Sequence, residues 1–378
     1  MSIYNISHQY CDTDALLAET TEISSLLRDQ FYKICPGQYK YRNGTYARLG
    51  QPRCGDGTNF SFFFSRPPEG QQDNQREKIL IELSGGGACW DETTCKLQSM
   101  FLSFPQEWLG PLVGSSCATW SSWGNSMLCA KTVGNTDFSE YNFLLIPYCT
   151  QDVHLGDEPN SDYGVKHVGG HNLYQTLKWV FDSFPDPSHI FITGCSAGAT
   201  PFPVVYDIIN SHYTANGKEV EINGIADSPV YLTPSYFLEN GLEHWNVKTV
   251  MDVIGFDFDA YKDDENFPNK VLDYALENSK ETDQWGYVTH DADTVSLLYY
   301  SFMTGGSVFG SQYGLGRRYN SGGSQPWNVR RKMKNDLQSQ WWMKMNSSMS
   351  LATKDHSNFH SFVMTGTDHC TFSLVSES

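Results

Sequence analysis

His189-Ile190-Phe191-Ile192-Thr193-Gly194-Cys195-Ser196-Ala197-Gly198 is the stretch from which the fold is read. Residues 190–193 are β-branched or aromatic and read as a buried strand. That strand runs directly into Gly-x-Ser-x-Gly. A serine on a strand-to-helix turn of this kind sits at a nucleophile elbow, where close backbone approach requires small flanking residues. Val204 to Tyr213 then reads as the helix behind the turn. Strand, elbow and helix in this order form one unit of a parallel sheet.

Outward from the elbow the same rhythm continues. Phe60–Phe64, Lys78–Leu83, Tyr141–Tyr148, Val220–Ala226, Trp285–Thr289 and Phe359–Met364 are expected strands, and Asn172–Phe184 is an amphipathic helix. Residues 12–34, with Leu16, Leu17, Ile23, Leu26, Leu27 and Phe31, are expected to form an N-terminal helix. Strands separated by helices imply an α/β protein with a mostly parallel central sheet, helices on both faces and a single domain over 1–378. Two stretches break the rhythm: 96–140, rich in Trp, Phe, Leu and Gly, and 304–350, rich in Gly, Ser, Arg and Trp. Both read as loop insertions around a cleft at the carboxyl ends of the strands, where open α/β sheets bind ligands. Trp90, Trp120 and Trp123 are candidate walls of that cleft.

The 378-residue chain carries 26 Lys+Arg against 43 Asp+Glu, a net charge of −17. So acidic a surface repels phosphate backbones, and no nucleic-acid partner is expected. The one basic cluster, Arg317, Arg318, Arg330, Arg331, Lys332 and Lys334, reads as a solvated loop and helix start; the specific alternative is contact with an acidic sugar or lipid head group. The best apolar run, Phe143–Ile146, is far short of the ~18 residues that span a bilayer, so no membrane span is expected. Ten cysteines and four sequons (Asn5, Asn43, Asn59 and Asn346) point to an oxidising compartment. The residues after Met1 have no basic and apolar signal pattern. The expectation is a secreted, extracellular protein whose leader is absent from this sequence; the other reading is a cytosolic protein with free thiols.

A serine hydroxyl is a weak nucleophile unless a positioned base takes its proton. His369, in Thr367-Asp368-His369-Cys370 just past the last expected strand, is the candidate base for Ser196, with His290, His356 and His360 as alternatives. His356 and His360 share i,i+4 spacing but lack the accompanying Glu, so no metal site is expected there. No cofactor is implied. The acid that orients the histidine is sought in two loops. Asp293 is preferred, then Asp291, both after the strand 285–289; Asp227 is third and reads better as a helix cap.

Ser84-Gly85-Gly86-Gly87 resembles the glycine-rich oxyanion element of esterases, so the amides of Gly86, Gly87 and Ala197 are the candidate oxyanion hole. Cys195 and Cys370 each adjoin a candidate catalytic residue. If Ser196 and His369 meet, a bridge between those cysteines is within geometric reach. Cys89 and Cys95 are a second candidate pair, closing a short loop beside the glycines.

Taken together, Cys54-Gly55-Asp56-Gly57-Thr58, Gly85-Gly86-Gly87-Ala88-Cys89-Trp90-Asp91, Pro147-Tyr148-Cys149-Thr150-Gln151-Asp152-Val153-His154, Gly194–Gly198, Ala226-Asp227-Ser228, Asp293-Thr294-Val295 and Gly366–Cys370 resemble the pectin acetylesterase/Notum family over roughly 50–375. The resemblance implies an extracellular carboxylesterase of the α/β-hydrolase fold, with Ser196 as nucleophile, Asp293 as acid and His369 as base. The Cys195/Cys370 pairing also resembles the arrangement in tannase and feruloyl esterase relatives. Family members act on esters from acetylated pectin to lipid-modified protein. The implied partner is therefore an ester on a polysaccharide, a small molecule or a lipidated group, and the acidic balance weighs mildly against polyanionic pectin. A serine peptidase on the same fold and a catalytically inactive carbohydrate- or ligand-binding protein are the rival readings.

Overall fold

The computed structural model describes residues 16–17, 31–34, 52–67, 77–97, 132–133, 136–138, 140–305 and 327–370. Its strands are β1 (Leu16–Leu17), β2 (Phe31–Ile34), β3 (Phe62–Ser65), β4 (Lys78–Leu83), β5 (Thr132–Val133), β6 (Thr136–Asp137), β7 (Asn142–Ile146), β8 (His189–Cys195), β9 (Glu221–Asp227), β10 (Trp285–His290) and β11 (Phe359–Met364). The principal helices are α1 (Glu92–Leu97), α2 (Gly169–Ser183), α3 (Phe202–Ala215), α4 (Val247–Ile254), α5 (Phe267–Glu277), α6 (Thr294–Met303) and α7 (Trp327–Asp355).

Nine strands form one sheet in the order β1-β2-β3-β7-β4-β8-β9-β10-β11. From β7 to β11 every neighbouring pair is parallel, while β1, β2 and β3 add an antiparallel edge. β5 and β6 make a separate antiparallel pair. The central strands are apolar almost throughout because both faces are covered, as in other parallel sheets. Phe62, Phe64, Ile79, Ile81, Leu144, Ile146, Ile190 and Ile192 belong to one continuous core. There the indole of Trp179 on α2 packs edge-on against Phe62 and Phe64. On the other face Phe63, Leu80, Phe143, Leu145 and Phe191 are buried as well. Each such side chain contributes about 1.5–3 kcal/mol over its exposed state. The expected mixed α/β architecture with a mostly parallel sheet is borne out.

Three details differ from the sequence reading. Within 12–34, the described residues are strands β1 and β2, not a helix, and β2 pairs with β3 along Phe31–Ile34. Partner strands outweigh the helix-like spacing there, since strand preference reflects the surface available for pairing. From residue 327 onward the stretch 304–350 belongs to α7, one helix of 29 residues. Its buried residues Leu337, Trp341, Met345 and Met349 recur every four positions and dock α7 on α5, α6 and β11. Asp227 caps no helix: the next one begins at Ser235 behind Pro234, and Asp227 instead accepts a hydrogen bond from the Ser228 hydroxyl. Trp120, Trp123 and most of 96–140 lie outside the described residues. So do Arg317, Arg318 and the side chains of Arg330, Arg331, Lys332 and Lys334.

Among the described residues no helix is long and apolar enough to cross a membrane. The six described cysteines form three disulfides: Cys54–Cys149, Cys89–Cys95 and Cys195–Cys370, with Cα separations of 5.0, 4.9 and 5.6 Å.

Candidate active site

Ser196, the glycine loop, Asp293 and His369 gather at one place, the carboxyl edge of the sheet. Ser196 follows β8, the glycine loop follows β4, Asp293 follows β10 and His369 follows β11. Topology alone brings the ends of these parallel strands side by side.

Ser196 adopts φ +57°, a left-handed conformation that costs a non-glycine residue about 1–3 kcal/mol. The turn is held by its own carbonyl, which accepts hydrogen bonds from the Ala199 amide at 3.0 Å and the Thr200 amide at 3.2 Å. The two flanking glycines are sterically required. A Cβ on Gly194 would collide with the Gly198 carbonyl, and a Cβ on Gly198 with that of Leu83. Gly85 is pressed against the elbow in the same way, with the Cys195 carbonyl and the Ser196 Cβ in its path. The glycine loop therefore lies directly on the serine turn.

Asp293 is fully buried and divides its two oxygens. Oδ1 caps α6, accepting from the amides of Val295 at 3.0 Å and Ser296 at 2.9 Å. Oδ2 receives the Ser296 hydroxyl at 3.0 Å and lies 2.7 Å from Nδ1 of His369. Capping anchors the carboxylate, and the helix N-terminus favours its charge. The loop carrying Asp293 is stitched to the loop carrying His369. The amides of Ala292 and Thr294 donate to the carbonyls of Gly366 and Thr367, and the Gly366 amide donates to Oδ1 of Asp291. Asp291 thus ties the two loops together while Asp293 meets the imidazole. Nε2 of His369 is buried and makes no hydrogen bond within the described structure. His369 lines a cavity with Ser196, Ala197, Gly87 and Ala88. The Cys195–Cys370 bridge joins the residues next to Ser196 and His369.

Of the other histidines, His356 faces Asp273 and His360 faces Gln284, so the pair does not share ligands. His290 packs against Gly366. Among the described residues, two groups bring Cys and His ligand atoms within 4.8 Å of one another, Cys89/Cys95/His167 and Cys195/His369/Cys370, but their cysteines are in disulfides and supply no thiolate.

The cavity is mainly apolar. Trp90, Tyr231, Phe237, Phe267, Tyr299 and Trp341 line it away from the serine. Trp90 is thus in the cleft, as one of the three candidate tryptophans. The aromatic wall comes from 231–237, 267 and 299, segments to which sequence reasoning assigned no part in the site, and from Trp341, which lies in the stretch 304–350 expected beside the cleft. Also unassigned was the segment 148–154, although Cys149-Thr150-Gln151-Asp152 after a buried strand gives its polar character away. Burial pushes the His154 imidazole down to about 4, so it is neutral. Its Nε2 carries the proton, because it faces the Ser84 carbonyl, which can only accept.

The pectinacetylesterase family model matches residues 46–252. The chain belongs to that family. The match includes the glycine loop, the segment 148–154 and the elbow at Ser196, while Asp293 and His369 lie beyond it. Palmitoleoyl-protein carboxylesterase notum1a of Danio rerio is 22% identical over 211 residues, covering 51% of this chain and 40% of its own. Palmitoleoyl-protein carboxylesterase NOTUM of Schmidtea mediterranea is 26% identical over 221 residues, 51% of this chain and 38% of its own. For palmitoleoyl-protein carboxylesterase notum2 of Xenopus laevis the figures are 23%, 181 residues, 47% and 35%. The chain thus spans about two fifths of the length of the curated relatives it matches. The pectinacetylesterase/Notum group is a group of ester hydrolases.

Proposed function

We propose that this pectinacetylesterase-family chain is a serine carboxylesterase that removes an acyl group through an acyl-enzyme. The observation that carries the reading is the His369–Asp293 pair, in which His369 lines the same cavity as the serine of a strained Gly-x-Ser-x-Gly turn and its Nε2 has no hydrogen-bond partner among the described residues. In this reading Ser196 attacks the ester carbonyl and His369 Nε2 takes its proton. Asp293 holds the imidazole tautomer and stabilises the cation that forms. Amides of the glycine loop and of Ala197 receive the charge that develops on the carbonyl oxygen. The alcohol leaves with the proton from His369, and a water deacylates the serine by the same steps in reverse.

The aromatic cavity accommodates the acyl side. Its volume is about 90 Å³, more than the ~10–15 Å³ that one ordered water needs. An acetyl group leaves most of it empty, which favours a medium-chain acyl ester over acetylated polysaccharide. The three disulfides support action in an oxidising, extracytoplasmic compartment.

Labelling with a fluorophosphonate probe and turnover of p-nitrophenyl butyrate test the reading. Ser196→Ala is expected to abolish labelling and lower kcat by about 10⁴-fold or more. Full labelling of that variant would overturn the assignment of Ser196.

A further inference from the structure

The carbonyls of the glycine loop are held by side chains of one short segment. Nε2 of Gln151 donates to the Gly86 carbonyl at 3.0 Å, and the Tyr148 hydroxyl donates to the Gly87 carbonyl at 3.0 Å. His154 Nε2 donates to the Ser84 carbonyl at 2.9 Å. In a planar trans peptide the C=O of one residue and the N–H of the next point in opposite directions. Fixing the Gly86 carbonyl therefore aims the Gly87 amide the other way, and fixing the Gly87 carbonyl does the same for the Ala88 amide. Gly87 and Ala88 both line the cavity that Ser196 and His369 face.

Gly86 at φ +151° and Gly87 at φ +81° have backbones that, without a Cβ, could otherwise rotate freely. The segment that restrains them is itself over-determined. Gln151, Val153 and His154 all have positive φ. For a β-branched residue such as Val153 this is a genuine outlier. Asp152, buried within the segment, accepts from the Thr150 hydroxyl and the amides of His154 and Gly169. The Cys54–Cys149 bridge closes its base. Gln151 is fully buried, and its Oε1 has no hydrogen-bond partner among the described residues. Only its donor end is used, and it is used on the glycine loop.

We infer that Gln151, together with Tyr148, is a positioning residue for the oxyanion hole, turning the Gly87 and Ala88 amides toward the reacting carbonyl oxygen. This inference rests on the esterase reading above and adds residues that touch no substrate themselves.

The test compares the wild type with Gln151→Met, which keeps the side-chain length without the donor, and with Tyr148→Phe. Each is assayed on p-nitrophenyl butyrate and with an alkyl trifluoromethyl ketone, which becomes an oxyanion on addition of the serine. Expected are a 10- to 100-fold fall in kcat, a KM within about threefold of the wild type, and an equal loss of ketone affinity. A purely structural role would not move ketone affinity and kcat in step at constant KM. If Gln151→Met does not fold, Tyr148→Phe carries the same comparison. An active wild type whose folded variants keep kcat and ketone affinity would overturn the inference alone. An inactive wild type that takes up no fluorophosphonate would overturn the esterase reading and the inference with it.

Discussion

Nδ1 of His369 and Oδ2 of Asp293 meet at 2.7 Å across 76 residues of sequence. The contact depends on the parallel register of β10 with β11, which places Asp293 and His369 just beyond paired strand ends. Because the other Asp293 oxygen caps α6, the helix sets the direction from which the carboxylate approaches the imidazole. Asn at 293 keeps the shape but leaves the imidazole in the wrong tautomer. Asp293→Asn is expected to lower kcat by about 10⁴ with little change in melting temperature. Asp227→Asn, at a carboxylate that accepts from the Ser228 hydroxyl, is expected to act mainly on stability. Steady-state kinetics and thermal melts of the two variants check the ranking, and the reverse order would remove Asp293 from the triad.

The backbone at Ser196 separates two substitutions that abolish activity equally. Alanine keeps a Cβ in the left-handed conformation, whereas glycine adopts φ +57° without penalty. Ser196→Gly is expected to be more stable than Ser196→Ala by about 1 kcal/mol, against the usual cost of introducing glycine. Urea unfolding of the two variants measures the difference directly. Equal or reversed stabilities would mean that the elbow is unstrained.

Much of this architecture was legible in the chain. β4, β7 and β8 are apolar or β-rich runs bounded by Gly, Pro or polar residues, and parallel strands buried on both faces announce themselves that way. The elbow was legible because its glycines answer to collisions with nearby carbonyls that only glycine avoids. The 29-residue α7 was not, since Leu337, Trp341, Met345 and Met349 are separated by Gln, Lys, Asn and Ser in a stretch that opens with glycines. β2 was hidden because its pairing with β3 is a tertiary fact. The hold of Tyr148, Gln151 and His154 on the glycine loop was invisible for a further reason. Their partners are backbone carbonyls more than 60 residues away, which leave no trace in side-chain periodicity.

The Cys195–Cys370 bridge closes a loop with a sequence separation of 175 residues that contains the elbow, β9, β10 and Asp293. Cross-links of that length contribute on the order of 4–5 kcal/mol in the chain-entropy model. The bridge also holds the His369 loop at the serine. Cys370→Ser is expected to lower kcat on p-nitrophenyl butyrate at temperatures where the circular dichroism of the sheet is unchanged. Loss of structure before loss of turnover would assign the bridge to stability alone.

His167 makes a separate prediction about pH. It is fully buried, with Nδ1 donating to the Thr150 carbonyl at 2.8 Å and Nε2 accepting from the Tyr163 hydroxyl at 2.9 Å. Burial pushes its pKa down to about 4, below the ordinary 6.5. Between these values the unfolded chain holds a proton that the native protein does not. The stabilisation is therefore complete above pH 6.5 and falls by about 1.4 kcal/mol per pH unit as pH drops toward 4. His154 acts in the same direction, while Asp207, pushed up to about 6 by burial, acts in the opposite one. His167→Gln is expected to be less stable than wild type at pH 7.5, yet to lose stability more gently between pH 6.5 and 4. Urea unfolding across that range reads the two slopes, and parallel slopes would refute a neutral buried His167.

The cavity behind Ser196 predicts how activity depends on acyl length. Trp90, Tyr231, Phe237, Phe267 and Trp341 surround it with apolar surface. Each methylene that enters adds about 0.8 kcal/mol, close to fourfold in kcat/KM if the contact is made in the transition state. At about 90 Å³ the space fills after a chain of several carbons. On p-nitrophenyl esters kcat/KM is therefore expected to climb from acetate through butyrate to hexanoate or octanoate and then level off or fall by palmitate. Phe237→Ala and Trp341→Ala deepen or widen the far wall and should shift the optimum toward longer chains while acetate turnover changes little. The series of kcat/KM values against chain length, wild type beside the two variants, is the measurement. A flat profile, or one that peaks at acetate, would mean that the acyl group never enters the aromatic cavity and that its walls serve the alcohol side of the ester instead.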